Sequence, residues 1–198
     1  MTKFILNGGN LGGSAKKGKA FFDALLADFT QSKVLFCYFS QPRENWEKKF
    51  LVHSLRTQSY NPGQKLQIQL AMPDTFVAQM KWADAVMFWG GDDALLMHYA
   101  KKIDGFTAAL AGKNVGGSSA GTSLWAPLHY TCDWRQVKAG LGVLQDFYPI
   151  VHYGSNFGAD DPRGPIDWQE AKSQLQKIAG SDKIITPIAE GDFVEYTL

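Results

Sequence analysis

Apolar runs and helix-period segments alternate along the chain from its first residues. Residues 3–7 (Lys-Phe-Ile-Leu-Asn) read as a buried strand that ends in Gly8-Gly9. Residues 17–29 follow, with Phe21, Phe22, Leu25, Leu26 and Phe29 on one helix face. Residues 34–40 are apolar almost without a break, as a strand covered on both faces should be. Residues 44–56 carry Trp46, Phe50 and His53 at helical spacing, and residues 66–70 alternate like a half-exposed strand. Pro73 suits the first turn of a helix running through Trp82, with Phe76, Val77 and Met80 inward. A fourth strand at 85–89 ends in Gly90-Gly91. Residues 93–110 read as a helix interrupted near Gly105.

The fifth unit is a short apolar approach, a glycine-rich turn and a helix start. It is followed by strands and turns over 140–153 and a loop rich in glycine, aspartate and proline over 153–165. A helix at 167–179, with Trp168, Ala171, Leu175 and Ile178 on one face, and strands at 183–188 and 193–198 close the chain. This βαβα rhythm predicts an α/β fold, a three-layer sandwich with a mostly parallel sheet and helices on both faces. With 198 residues and no linker, repeat or low-complexity tract, residues 1–198 read as a single domain.

Composition narrows the function classes. The formal net charge is +1, with no basic stripe or polybasic tail, so neither nucleic acid nor an anionic membrane is an expected partner. No apolar run reaches the length of a membrane span, and the apolar part of residues 1–9 is too short for a signal peptide. Of the 2 cysteines, Cys37 and Cys132, the first sits inside a strand-like apolar run. A buried free thiol and a cytoplasmic, reducing setting are expected.

The chemistry centres on Gly117-Ser118-Ser119-Ala120-Gly121, a G-x-S-x-G frame between strand and helix. Such a frame forces its apex into a strained turn, exposes the apex hydroxyl and aims the next N–H at a developing oxyanion. A serine needs a base and a carboxylate to orient it. Of the 4 histidines, His53 and His98 read as ordinary helix-face residues. His152 ends an apolar run that could deliver it beside the elbow, and His129 is the alternative. For the acid, Glu190 lies at a strand end before Gly191, and Asp133 competes from beyond the elbow helix. Gly90-Gly91 could supply a second oxyanion N–H.

Other readings find less support. Asn7-Gly8-Gly9-Asn10-Leu11-Gly12-Gly13 lacks the order of a dinucleotide fingerprint and the Gly-Lys-Ser/Thr ending of a nucleotide loop. His129 and Cys132 have ligand-like spacing, but no second pair completes a metal site. No metal or organic cofactor is therefore expected.

The ordered set of Val86-Met87-Phe88-Trp89-Gly90-Gly91-Asp92, the serine frame, Pro149-Ile150-Val151-His152 and Ala189-Glu190-Gly191 resembles the peptidase E family of alpha-aspartyl dipeptidases and cyanophycinases. The resemblance implies a flavodoxin-like, class I glutamine amidotransferase-like fold and a serine peptidase that hydrolyses dipeptides or short peptides. It matches Ser119 to the nucleophile, His152 to the base and Glu190 to the triad acid. Asp133 matches a further aspartate tied to activity, and Gly91 and Ala120 match the oxyanion-hole amides. It implies a small peptide as partner and is compatible with a homodimer.

Two positions depart from the family pattern. Asp92 stands where Gly-Gly-Asn is usual, and the arginine-bearing stretch after the histidine is replaced by Gly158-Ala159-Asp160-Asp161-Pro162-Arg163-Gly164. Asp92 and Arg163 are thus the candidate substrate-binding residues, Arg163 for an acidic side chain, and Asp160 or Asp161 could hold an ammonium. The departures leave open an acyl hydrolase or esterase on the same scaffold, or a non-catalytic ligand-binding relative. A glutaminase would want cysteine at Ser119 and an acid at Gly154.

Overall fold

A computed structural model describes every residue except Thr30, Asn61 and Gln64. Among the described residues, ten strands form two sheets, accompanied by six α-helices. The larger sheet comprises β1 (Lys3–Asn7), β2 (Gln31–Cys37), β3 (Lys65–Leu70), β4 (Ala85–Phe88), β5 (Asn114–Ser118) and β10 (Phe193–Thr197), in the order β10-β1-β5-β4-β2-β3. Only β10 runs antiparallel, pairing with β1 from Lys3↔Thr197 to Asn7↔Phe193. Its central strands are the continuous apolar runs: every residue of β4 is buried, as are Phe4, Ile5 and Leu6 of β1. The edge strand β3 alternates exposed and half-buried residues, with Lys65, Gln67 and Gln69 facing water.

The helices are α1 (Ala15–Leu26), α2 (Trp46–Tyr60), α3 (Phe76–Trp82), α4 (Asp93–Lys102), α5 (Ala120–Ser123) and α6 (Trp168–Ala179). Crossovers from β1 and β2 run toward the β3 edge, whereas those from β3 and β4 run back. Right-handed connections therefore put α1 and α2 on one face and α3 and α4 on the other. Neighbouring residues of β5 reflect the same division: Gly116 faces Leu25 of α1, and Gly117 faces α5. The expected sandwich, with a mostly parallel sheet covered on both faces, is the observed one. Among the described residues, no helix is long and apolar enough to cross a membrane.

Three stretches differ from the sequence expectation. The segment expected as one interrupted helix over 93–110 stops at Lys102; Gly105 turns the chain at φ 77°, and a 3-10 turn at Ala108–Leu110 follows. The helix after the serine frame is only four residues long. The hairpin of β6 (Leu128–Thr131) and β7 (Gln136–Ala139) was not foreseen. With β8 (Tyr148–Ile150) and β9 (Ile185–Pro187) it makes a second sheet, β7-β6-β8-β9. That sheet has its own apolar cluster around Tyr130, Ile150, Ala171 and Leu175, covered by α6. Asp167 caps α6 by accepting hydrogen bonds from the N–H groups of Gln169 and Glu170, each at 3.0 Å.

The carboxyl edge of the large sheet is walled by aromatic rings. Trp89 meets Phe36 edge-on at 5.4 Å and lies parallel to Tyr38 at 6.1 Å, while His53 of α2 packs on it at 3.9 Å. His53 is thus more than an ordinary helix-face residue. Burial holds the Tyr38 phenol in its protonated form, and its hydroxyl and His53 Nδ1 share a hydrogen bond at 3.0 Å. Burial, reinforced by the cations Arg56 and Lys49, lowers the His53 pKa to about 4.

A histidine depressed in the folded state takes up its proton more readily when unfolded. Its contribution to stability is present above about pH 6.5 and is lost as pH falls toward 4. Discounted for solvent screening of a half-buried ring, the loss is about 1–2 kcal/mol. Urea unfolding between pH 4 and 7 should show that decline in the wild type and a shallower one in His53→Gln; parallel curves would contradict this account.

Candidate active site

The elbow is shaped by two close backbone approaches. A Cβ on Gly117 would stand 2.4 Å from the Gly121 carbonyl oxygen, and one on Gly121 would stand 2.1 Å from the Phe88 carbonyl oxygen. Both positions must lack a side chain for β5 to turn into α5 while packed against β4. The apex, Ser119, adopts φ 53° and ψ −115°, a conformation that L-residues avoid. Asn7, fully buried at the end of β1, holds this geometry. Its carbonyl accepts from Ser119 N (3.1 Å) and Thr122 Oγ1 (2.7 Å), and its side-chain oxygen accepts from Gly9 N (2.8 Å) and Ser118 Oγ (3.1 Å).

His152 reaches the elbow from the second sheet. It lies just past β8, at φ 57°, with its N–H donating to the Gly8 carbonyl at 2.7 Å. Its ring lies between Phe157, stacked at 4.3 Å, and the backbone of Gly9, where a Cβ would stand 2.2 Å from the imidazole. Nε2 is 2.9 Å from Ser119 Oγ, and Nδ1 is 2.8 Å from Glu190 Oε1. Asn10 Nδ2 donates to the other Glu190 oxygen at 2.7 Å. Partial burial opposes the Glu190 charge, but the hydrogen bonds from His152 and Asn10 outweigh it and hold the carboxyl below its ordinary range. An ionised Glu190 accepts from Nδ1–H, which leaves the Nε2 lone pair for the serine hydroxyl.

The structure thus brings Ser119, His152 and Glu190 into one hydrogen-bonded line. Among the described residues, the N–H groups of Gly91 and Ala120 have no internal acceptor, and Gly90 packs against Ser119. Asp133 borders the same cleft but makes no hydrogen bond to His152. Crowding by protein, then repulsion from Asp93, raises its pKa, although attraction to His152 works the other way.

The other candidates are engaged elsewhere. His129 is buried with Nε2 3.4 Å from Asp93, and Lys138 reaches the same carboxylate at 3.1 Å. Burial opposes the charge on Asp93, yet these two donors drive its carboxyl far below the ordinary range and join α4 to the hairpin. Asp92 caps α4, accepting from Ala94 N at 2.8 Å and Leu95 N at 3.0 Å. Arg163 Nε binds Asp161 at 2.8 Å and its Nη2 the Asp133 carbonyl at 2.8 Å, so Asp161 is already taken as well. Neither Asp92 nor Arg163 lines the cleft.

That cleft, of about 630 Å³, opens outside the carboxyl ends of β1, β2, β4 and β5, where ligands bind in such sheets. Its walls include residues that the sequence did not single out for chemistry: Asn10, Lys49, Arg56 and Phe157. Asn10 stands inside the glycine-rich run after β1, whereas Phe157 carries no local signal in the sequence.

No protein-family model and no curated protein matches the sequence. Solved structures match in fold. A candidate peptidase E protein from Listeria monocytogenes EGD-e is similar at 14% identity and a TM-score of 0.67, with 100% of this chain and 99% of that one covered. A peptidase from an acI-B1 Actinobacterium is similar at 18% identity and a TM-score of 0.65, covering 99% of this chain and 83% of that one. The chain therefore has an α/β fold shared with structures named peptidase E and peptidase, as the motif resemblance implied.

Two stability measurements test the elbow. Gly121→Ala should cost at least about 2 kcal/mol, because the colliding atom is a backbone carbonyl; an unchanged urea midpoint would contradict that geometry. Ser119→Gly should be about 1 kcal/mol more stable than Ser119→Ala, since both remove the hydroxyl and only glycine relieves the positive φ. Equal midpoints would mean that the apex carries no strain.

Proposed function

We propose that the protein is a serine peptidase that hydrolyses dipeptides or short peptides through a Ser119–His152–Glu190 triad. The observation that carries this reading is the continuous line from Ser119 Oγ to His152 Nε2 at 2.9 Å and from Nδ1 to Glu190 at 2.8 Å. Ser119 Oγ attacks the scissile carbonyl carbon while its proton passes to Nε2. The carbonyl oxygen becomes an oxyanion and takes hydrogen bonds from the N–H groups of Gly91 and Ala120, donors with no internal acceptor to give up. His152 then returns the proton to the departing amine and the C–N bond breaks, leaving an acyl-Ser119 ester. Water, deprotonated by Nε2, attacks that ester, and His152 passes the proton to Ser119 Oγ as the ester C–O bond breaks and the acid leaves.

Glu190 keeps the imidazole in the required tautomer and stabilises the imidazolium, and Asn10 fixes the carboxylate that does so. Asp133 borders the cleft and lies outside this proton path. The fold shared with structures named as peptidases supports the same reaction class. A reducing, cytoplasmic setting fits two buried cysteines that remain free thiols.

A library of dipeptides, peptide amides and esters, assayed with wild type and Ser119→Ala in parallel, tests the proposal. Ser119→Ala should lower kcat/KM by at least about 1,000-fold, and Glu190→Gln by roughly 1,000- to 10,000-fold, with folding intact. Asp133→Asn should cost far less. Turnover that survives Ser119→Ala would remove the serine from the mechanism. Cleavage of esters alone would point to an esterase, and a larger loss in Asp133→Asn than in Glu190→Gln would reassign the acid.

A further inference from the structure

One stripe of α2 faces the cleft. Lys49, His53 and Arg56 stand at i, i+4 and i+7, the spacing that stacks side chains along one helix face, and all three line the cleft. Elsewhere, cations find helix-spaced partners: Arg43 pairs with Glu47 and Lys19 with Asp23, four residues on. The residues four positions from Lys49 are Asn45 and His53, and those from Arg56 are Val52 and Tyr60, so neither has an acid at that spacing. Among the described residues, neither side chain makes an ion pair or hydrogen bond with the protein. Between them, His53 is locked by Trp89 and Tyr38.

The chemistry of the elbow says which part of a substrate meets these cations. His152 must hand its proton to the departing amine, so the leaving portion lies on the His152 side of the scissile bond. The wall on that side is the loop after β1. Gly9 packs against the imidazole, Asn10 holds Glu190, and the Arg56 guanidinium covers Gly12, where a Cβ would stand 2.0 Å from Nη1. Asp133, the single carboxylate among the described residues lining the cleft, belongs to the hairpin of the second sheet rather than to this loop.

We propose that Lys49 and Arg56 form a carboxylate-binding subsite for the leaving portion of the substrate, so that the protein favours short peptides whose departing residue carries a free carboxylate. The inference rests on the peptidase reading for its direction along the cleft. The guanidinium fork of Arg56 and the ammonium of Lys49, two helical turns apart on the cleft-facing stripe, suit a carboxylate, and cations at this wall would favour a terminal residue over a continuing chain.

The test is binding to Ser119→Ala, which needs no turnover, by calorimetry. The ligands are dipeptides with C-terminal alanine, their C-terminal amides, and the amides with aspartate in place of that alanine. The free acids should bind about tenfold or more tightly than the amides. Adding Lys49→Met and Arg56→Gln should bring the ratio close to one, with the unfolding midpoint kept near that of Ser119→Ala. Recovery of affinity by the aspartyl amide would mean that a side-chain carboxylate enters the same subsite; no recovery would assign it to the chain terminus. Equal binding of all three ligands, undetectable binding of the acids, or an acid preference that survives both substitutions would overturn the proposal. If the acids bind as expected while the wild type cleaves none of them, the peptidase reading fails and the carboxylate subsite stands.

Discussion

Everything at this site depends on how closely three strands can approach at their carboxyl ends. Gly117 pairs with Leu6 of β1 on one side and with Phe88 of β4 on the other, at the last point where the three strands run together. Ser118 still pairs with Asn7, and the chain then leaves the sheet through Ser119 at φ 53° with α5 pressed against β4. A methyl group at Gly117 or Gly121 would push this turn away from the sheet and carry the hydroxyl with it. The strain at Ser119, on the order of 1–3 kcal/mol, is offset by the sheet pairing and by buried Asn7, whose carbonyl and side chain link β1 to β5 and to the turn before β10.

The second sheet completes what the first begins. His152 shares the positive φ of Ser119, held by its N–H on Gly8 and by a ring trapped between Gly9 and Phe157. Glu190 arrives on the turn between β9 and β10, fastened by Gly191 N to the Gly9 carbonyl at 2.9 Å. The loop after β1 therefore positions both partners of the serine, one by backbone contact and one through Asn10. These contacts set His152 Nε2 2.9 Å from Ser119 Oγ, the separation that the proposed proton transfer needs.

Much of this was legible in the sequence where local rules operate. Continuous apolar runs at Phe4–Leu6 and Val86–Phe88, each ending in a glycine pair a residue or so later, read as covered strands, and the G-x-S-x-G frame predicts a close-packed turn. His152 and Glu190 were legible as polar residues at the ends of apolar runs. The β6–β7 hairpin was not, because the alternation of Gln136-Val137-Lys138-Ala139 lasts only four residues and its turn, with Arg135 at φ 52°, carries no Asn-Gly or Asp-Gly. Phe157, Asn7 and the cleft-facing role of His53 arise only from contacts between distant segments. Asp92 and Arg163 stand outside the cleft lining for a similar reason: helix capping and a local ion pair engage them, and both features are common for charged residues in turns.

The central claim is that Ser119 is a nucleophile activated by His152 and Glu190. It is tested most directly by reacting the native protein with a fluorophosphonate and mapping the modified peptide by mass spectrometry. The account predicts one phosphonyl group, on Ser119 Oγ, formed rapidly in the wild type and at least about 100-fold more slowly in Glu190→Gln. Failure to label, labelling at another residue, or an undiminished rate in Glu190→Gln would contradict it.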